Sequence, residues 1–310
     1  MTTDTTDSSK PSQAVSIGAL LVLLSATGFS AKAIFVKLAY TYQVDSVTLL
    51  ALRMLFSLPF FALMAWWSDR GSGTKLTRRE WWSVAALGVA GYYLASFLDF
   101  LGLQYISAGL ERLTLFLNPT FVVLLSVLFF ARPIRRADWL AFVISYTGIG
   151  LAFWHDLKQA EGAHVVLGTT LVLASAVSYA VYLVGSGQLV KKAGSMRYTA
   201  FAMLAASAAT LIQFVALRPA SKLLLQPWQV HAYCLAMAMF ATVLPVWMMA
   251  EGVRRMGSTS ASMIGMAGPI ITIFMGSAFL GEPIGLEQLV GAALVLAGVA
   301  VITFSKPAYK

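Results

Sequence analysis

Charged side chains inside otherwise apolar stretches are the residues of this chain that could carry chemistry. Each such charge costs roughly 2.5 to 3.5 kcal/mol at the centre of an isolated membrane helix, so it needs a partner or a use. Two interpretations stay open: the charges form packed ion pairs or reach towards the membrane surface, or they line a wet cavity and meet a polar substrate or a coupled proton. The residues are Lys32, Arg53, Asp99, Glu111 and Arg112.

The two carboxylates in this group are the candidates for carrying a proton. Asp and Glu within membrane spans commonly act as proton relays, which makes Asp99 and Glu111 the groups that would carry a proton. Arg112 and Lys37 fall close to a span end. For these two cations, contact with the membrane surface is the simpler interpretation.

Helical spacing predicts which side chains share a face. Positions i, i+4 and i+7 lie on one side of a helix, and three such stripes join a charge to a polar or aromatic residue. We expect these stripes to form cavity walls, with plain packing as the alternative; they are Ser25, Phe29 and Lys32; Tyr92, Ser96 and Asp99; and Glu111, Leu115 and Asn118.

Aromatic residues of the second half could form the facing wall. Tyr179, Tyr182 and Trp247 are the candidates, and core packing or anchoring at the interface is an equally open interpretation. The candidate substrate-binding residues are therefore Lys32, Arg53, Tyr92, Asp99, Glu111, Asn118, Tyr179, Tyr182 and Trp247.

Three prolines lie inside apolar spans. Proline removes a backbone donor and bends a helix, so Pro119, Pro245 and Pro269 are candidate hinges, with a static kink as the alternative. Pro119 and Pro269 occupy equivalent positions of an internal repeat.

Composition requires a membrane around these elements. Of the 310 residues, 59% are hydrophobic and 11% charged, which leaves too little polar surface for a soluble globule. Apolar runs long enough to cross a bilayer as helices predict an all-α integral membrane protein with ten spans, near 14–37, 46–67, 82–104, 108–131, 138–154, 166–187, 198–217, 229–250, 259–280 and 285–304.

The sequence contains an internal repeat. Residues 102–153 align with 252–303 without a gap, matching Gly102 with Gly252 and Pro119 with Pro269. We predict a first repeat at 14–154 and a second at 164–304, flanked by a disordered tail at 1–13 and a short tail at 305–310. Because each repeat holds an odd number of spans, the second must be inverted in the membrane.

Loop charges predict the orientation. With both termini in the cytoplasm, inner segments hold fifteen Lys and Arg residues and outer segments four, as the positive-inside rule requires. This bias accounts for the formal charge of +9 without any nucleic-acid partner. The predicted partners are the lipid bilayer and a small-molecule substrate, and two complete repeats make a monomer sufficient.

The chain resembles the EamA-type carriers of the drug/metabolite transporter superfamily. The resemblance rests on the end of the first span at 28–37, on Leu52-Arg53, and on the repeated Gly, Pro and Gly-Glu-Pro pattern, which the second copy carries as Gly281-Glu282-Pro283. The first copy departs from it at Ala131-Arg132-Pro133. It implies ten helices in two inverted five-helix repeats, a site between the repeats, and, for a bacterial-type carrier, export across the cytoplasmic (inner) membrane.

The charges inside the spans limit the class of molecule that could be transported. Three cations against two carboxylates suit an amino acid, a carboxylate or another small polar metabolite, with its carboxylate on Lys32 or Arg53 and an amine near Asp99 or Glu111. The alternative is efflux of drugs or lipophilic compounds, although the first span offers a lysine and no acid to a cation.

Other classes of function have weaker support. No nucleotide-binding Gly-rich loop occurs, and the three histidines and single Cys234 form neither a metal motif nor a catalytic pair. We therefore expect no cofactor, no metal and no enzymatic activity. A membrane sensor that transports nothing is the remaining alternative.

Overall fold

The computed structural model describes residues 9–70, 75–130, 134–159 and 162–304, which form helices joined by short turns. The first repeat contains α1 (Ser9–Tyr40), α2 (Ser46–Arg70), α3 (Arg78–Gly88), α4 (Ala95–Gly102), α5 (Ala108–Leu115), α6 (Asn118–Phe130) and α7 (Arg136–Gln159). The second contains α8 (Gly162–Ala193), α9 (Ser195–Leu217), α10 (Ser221–Leu224), α11 (Trp228–Ala238), α12 (Leu244–Met256), α13 (Ser258–Gly265), α14 (Gly268–Leu280) and α15 (Leu286–Phe304).

Ten of the described segments are long and apolar enough to cross a membrane, which confirms the predicted fold. Four of these spans are composite: α3 with α4, α5 with α6, α11 with α12, and α13 with α14. The short α10 lies between the seventh and eighth spans.

The amino-terminal tail differs in part from the prediction. Helix α1 begins at Ser9, so residues 9–13 are already helical. Pro11 does not prevent this, because the first turn of a helix does not need the backbone donor that proline lacks. Residues 1–8 and the predicted tail at 305–310 lie outside the described residues.

The same irregularities occur in both repeats, 150 positions apart. A π-helical segment, Val89–Leu94, joins α3 to α4, and a second, Met239–Val243, joins α11 to α12. Likewise α5 ends at Leu115 and α13 at Gly265, and in each case a new helix begins after a break of two residues. The two repeats therefore share the positions at which their helices are interrupted.

The core is built by packing one repeat against the other. Helix α2 lies along α9, α4 along α8, and α1 along both α12 and α14. One buried cluster takes Val36, Leu50 and Phe100 from the first repeat and Met203 and Met237 from the second. Neither repeat buries its apolar surface alone, so the two form one unit around their shared interface.

Small residues bring α7 and α15 into backbone contact. A Cβ on Gly148 would lie 2.6 Å from the carbonyl oxygen of Gly291, and a Cβ on Gly291 would lie 2.5 Å from that of Gly148. Only glycine permits this approach. Close helix packing through small residues is typical of membrane bundles, and here it joins the last span of each repeat.

Candidate functional site

Lys32 stands between two carboxylates in the apolar interior. Its Nζ donates a hydrogen bond of 2.6 Å to Oδ2 of Asp99 and lies 2.9 Å from Oε1 of Glu111. The three side chains come from α1, α4 and α5. Asp99 is 2% exposed and Glu111 is fully buried, so three of the sequence-predicted residues form one buried triad.

The triad leaves acceptor capacity unused. Oδ1 of Asp99 and Oε2 of Glu111 have no hydrogen-bond partner among the described residues, while Oε1 of Glu111 is engaged by its ion pair with Lys32. One ammonium thus faces two carboxylates. Buried carboxylates without full pairing are costly, so this site suits a proton, water or a ligand amine.

Arg53 extends the site towards the second repeat. Its Nη2 lies 3.4 Å from Oγ1 of Thr242, its guanidinium carbon lies 5.5 Å from the centre of the Phe100 ring, and Nη1 has no partner among the described residues. The negative charge of Asp99 acts on this guanidinium. Arg53 therefore joins the triad electrostatically without a direct ion pair in the described chain.

Arg112 points into the protein, which differs from the predicted position at the membrane surface. Its guanidinium carbon lies 5.4 Å from the centre of the Phe116 ring, and its Nε is buried. The charges of Glu111 and Asp99 both act on it. Together Lys32, Arg53, Asp99, Glu111 and Arg112 form what we call the charge cluster.

The predicted hinges coincide with helix interruptions. Pro119 and Pro269 each occupy the second position of a new helix, α6 and α14, after a break of two residues. Because proline cannot donate to the preceding turn, the break is expected there. Asn118, which begins α6, has a buried Oδ1 without a hydrogen-bond partner among the described residues.

Pro245 contacts the first span. Its carbonyl accepts a 2.7 Å hydrogen bond from Oγ of Ser25, and a Cβ on Gly28 would lie 2.5 Å from its ring. Its helix begins directly after the second π segment. Motion at the three prolines remains a prediction.

The three candidate tyrosines lie together. Oη of Tyr92 lies 3.0 Å from Oη of Tyr182, and the rings of Tyr179 and Tyr182 stack with centres 5.5 Å apart. Tyr92 belongs to the first π segment, so the regular spacing to Asp99 does not hold. Trp247 is 60% exposed on α12, with no ring contact to these tyrosines in the described chain.

A second charged group joins the repeats at the end of the bundle that the loop charges predict to be outside. Oε1 of Glu282 lies 2.7 Å from Nζ of Lys37 and 3.0 Å from the backbone nitrogen of Ala108, which donates to it. Asp156 accepts hydrogen bonds of 2.8 Å from both Ser107 N and Ser107 Oγ. We call Lys37, Ser107, Asp156 and Glu282 the outer network.

The outer network seals one end of the path between the repeats. Helix α5 packs against α14 there, whereas the other halves of the same two spans, α6 and α13, have no extended contact in the described residues. A cavity of about 210 Å³ remains beside Lys37, His155 and Glu282. The fourth and ninth spans thus meet through their outer halves, while the repeats are joined at the inner end by the ion pairs Lys192–Glu80 and Arg197–Asp69.

Sequence reasoning missed three parts of this arrangement. The π segments, the role of Thr242 beside Arg53, and the contact of Glu282 with the opposite repeat were not predicted. Only Glu282 had a signal, since it belongs to the Gly-Glu-Pro motif.

Comparisons with known proteins agree with the repeat structure. The model of the EamA-like transporter family matches residues 16–154 and again 166–304. The chain is 32% identical to the uncharacterized transporter YcbK of Bacillus subtilis over 283 residues, which cover 88% of each chain. It is 25% identical to an uncharacterized transporter of Vibrio cholerae, covering 84% of this chain and 83% of the relative.

Fold comparison gives the same architecture. A solved crystal structure superposes with a TM-score of 0.61 at 19% identity, covering 95% of this chain and 99% of its own. That likeness concerns the fold. Since the family model matches both repeats almost completely, the chain belongs to the EamA-like transporter family and is a membrane transporter.

Proposed function

We propose that this transporter is a secondary active carrier that exports a small polar metabolite, such as an amino acid or a carboxylate, by alternating access. The observation that carries the proposal is the pairing of Lys32 with both Asp99 and Glu111 in the buried interior. Ionisable groups at membrane depth are functional candidates by default. Packing alone does not call for them, since replacing a buried ion pair by well-packed apolar residues is often neutral or stabilising.

The charge balance supports a zwitterionic or anionic cargo. With every group ionised, the charge cluster carries three positive and two negative charges. An amine would be attracted to the unused oxygens of Asp99 and Glu111, and a carboxylate to an arginine. A purely cationic molecule would meet the surplus positive charge.

Competition at the carboxylates supports proton coupling. A proton and a ligand amine would occupy the same oxygens of Asp99 and Glu111, so binding of one would oppose binding of the other. Entry of protons could then release the metabolite to the outside. This competition is the arrangement that proton-driven export requires.

Alternating access has a physical basis in the two ends of the bundle. The outer network holds α5 and α14 together at one end, while α6 and α13 make no extended contact at the other among the described residues. The interruptions before Pro119 and Pro269 lie between these ends and would serve as the bends. Pro245, held by Ser25, is the third candidate bend.

The proposed setting is the cytoplasmic membrane of a cell, with both termini in the cytoplasm. The asymmetry of fifteen inner against four outer Lys and Arg residues supports it. We also propose that the protein acts without a cofactor and catalyses no covalent reaction. Protease digestion of inside-out vesicles, which should remove a carboxy-terminal tag, tests this orientation.

A thermal-shift screen of the purified full-length protein tests the proposed site. Amino acids, small carboxylates, nucleosides and lipophilic cations would be compared for wild type, Lys32→Ala, Asp99→Asn and Glu111→Gln. Glu287→Gln is the control, since that carboxylate pairs with Lys158 at the exposed rim. Stabilisation by polar metabolites that the three variants lose supports the proposal, and stabilisation that survives all three contradicts the site.

The same screen addresses the alternative cargo. The packed rings of Tyr92, Tyr179 and Tyr182 would suit a flat lipophilic compound. Stabilisation by lipophilic cations alone, lost in Tyr182→Ala and kept in Asp99→Asn, would favour multidrug efflux.

A further inference from the structure

Arg112 is a cation without a counterion in the described chain. Its guanidinium carbon lies 5.4 Å from the centre of the Phe116 ring, a Cβ on Gly268 would lie 3.2 Å from Nη2, and its Nε has no hydrogen-bond partner among the described residues. The two nearest carboxylates, Asp99 and Glu111, are both within ion-pair distance of Lys32. A largely buried guanidinium without a direct ion pair is expensive, so Arg112 retains donor capacity that the described residues do not fill.

The position of Arg112 is at the junction of the two repeats. It projects from α5 of the first repeat to the first residue of α14 in the second, where a Cβ on Gly268 would lie 3.2 Å from Nη2. The carbonyl of Gly268 already accepts hydrogen bonds from Ser30 at 2.9 Å and from Thr272 at 3.0 Å. The guanidinium therefore has little to gain from that carbonyl.

The local field at this junction favours an anion. Helix α14 has 13 residues, and the amino-terminal end of a helix carries partial positive charge. Interrupted membrane helices of transporters direct such ends at anionic substrate groups. Here the fixed positive charge of Arg112 lies beside the helix end and reinforces it.

Arg112 is better placed for an anion than the other two cations of the charge cluster. Lys32 is held by two carboxylates, and Arg53 has Thr242 as a hydrogen-bond partner and Phe100 as a ring contact. The planar fork of a guanidinium matches a carboxylate in bidentate geometry, which an ammonium cannot do.

We propose that Arg112 binds the carboxylate of the transported molecule, so that the cargo belongs to the carboxylate-bearing metabolites. This inference rests on the transport function proposed above and names the substrate class and the residue that selects it. Glu111, the next residue in α5, and Asp99 would meet an amine on the same molecule. An amino acid would thus span the charge cluster from Arg112 to the carboxylates.

Paired ligands test the inference on the purified full-length protein. The probes are L-amino acids and linear mono- and dicarboxylates at millimolar concentration, each compared with its methyl ester by thermal shift. We expect one or more of the acids to stabilise wild type while the matching ester does not. Arg112→Lys should weaken the apparent affinity for that acid about tenfold, and Arg112→Gln about a hundredfold.

Two further variants separate binding from folding. Arg254→Lys is the matched control, because Arg254 is exposed and pairs with Glu251, and it should bind as wild type does. Gly268→Ala keeps every charge and crowds Nη2 of Arg112, so it should weaken acid binding about threefold. This variant reports on the guanidinium even if Arg112→Gln fails to fold.

The outcomes distinguish this inference from the transport proposal. Stabilisation by esters or amines but by none of the acids would overturn the inference and leave transport standing. Acid binding that Arg112→Lys, Arg112→Gln and Gly268→Ala all leave unchanged would also overturn it. Acid binding lost in the Arg112 variants but unaffected in Asp99→Asn and Lys32→Ala would uphold the inference and contradict the proposed triad.

Discussion

The carboxylate of Glu282 lies 2.7 Å from the ammonium of Lys37, and these two residues belong to opposite repeats. Glu282 follows Gly281, whose left-handed backbone (φ 68°) ends α14 and turns the chain back towards α5. There the carboxylate also accepts hydrogen bonds from Ala108 N at 3.0 and 3.1 Å. One side chain thus connects α1, α5 and the turn after α14.

Removing this carboxylate should loosen the outer end. Glu282→Ala removes a charged cap of α5, worth about 1 kcal/mol, and hydrogen exchange of the amides around residues 105–110 should become about fivefold faster. Hydrogen–deuterium exchange with mass spectrometry measures this. Glu287→Ala, at an exposed pair with Lys158, is the control, and equal exchange in both variants would show that Glu282 does not hold the outer end closed.

The buried triad should be sensitive to the loss of its only ammonium. Lys32→Met leaves Asp99 and Glu111 facing each other, and an uncompensated buried charge costs about 3 to 5 kcal/mol. Adding Glu111→Gln removes one of the two negative charges and should recover part of the loss. Melting temperatures of the purified variants give the comparison, and a double variant that melts no higher than Lys32→Met would contradict this electrostatic account.

Two glycines of α7 offer a matched test of helix packing. Gly148→Ala places a methyl group 2.6 Å from the carbonyl oxygen of Gly291, whereas a Cβ on Gly150 meets nothing within 4 Å. Overpacking against rigid backbone should cost about 1 to 3 kcal/mol. Gly150→Ala should be neutral or stabilising by up to about 1 kcal/mol, because alanine favours helices. Equal melting temperatures for the two variants would mean that the contact with α15 is not close.

We expect Asp45, which lies outside the spans, to make the stability of the protein depend on pH. Burial alone would raise the pKa of its carboxyl, but hydrogen bonds from Thr48 and the cations Arg218 and Lys222 outweigh that effect and hold the pKa below its usual value. A depressed pKa contributes stability above the unfolded pKa of about 3.9, and this contribution is lost as the pH falls further.

The test compares Asp45→Asn with wild type across pH. The exposed pairing is worth roughly 0.5 kcal/mol, so Asp45→Asn should melt slightly lower at pH 7. The difference in melting temperature should shrink as the pH falls below about 4. A difference that stays constant down to pH 3 would assign the effect to capping of α2 and leave none for charge.

Much of the fold could be predicted because its signals are local and repeated. Continuous apolar runs gave the ten spans, and an offset of 150 residues related the two repeats. Both predictions are confirmed. Prolines marked two of the interruptions, because the missing backbone donor is a property of the residue itself.

The site could be predicted only as a set of charges. Which carboxylate meets Lys32 depends on the rotation of three helices about their axes, and a change in one helix propagates to every contact. The spacing from Tyr92 to Asp99 was counted for a regular α-helix, and the sequence from Val89 to Leu94 gives no sign of the π geometry that changes it. Arg112 was expected at the membrane surface because the sequence shows how far a residue lies from the end of its span. It does not show which way the side chain points.

The π segment before Asp99 makes the site depend on residue count as well as residue type. An α-helix turns by about 100° per residue, and π geometry accommodates extra backbone without rotating the next helix by that amount. Deleting one residue between Val89 and Leu94 would restore regular α-helix and leave Asp99 facing Lys32, whereas inserting a further residue there would exceed what the wide turn accommodates and swing Asp99 away. Met239–Val243 fixes the phase of the helix after Thr242 in the same way. The two wide turns therefore act as angular spacers: the site should tolerate a single-residue deletion there, and a single-residue insertion should disable the carrier as thoroughly as the loss of a charge.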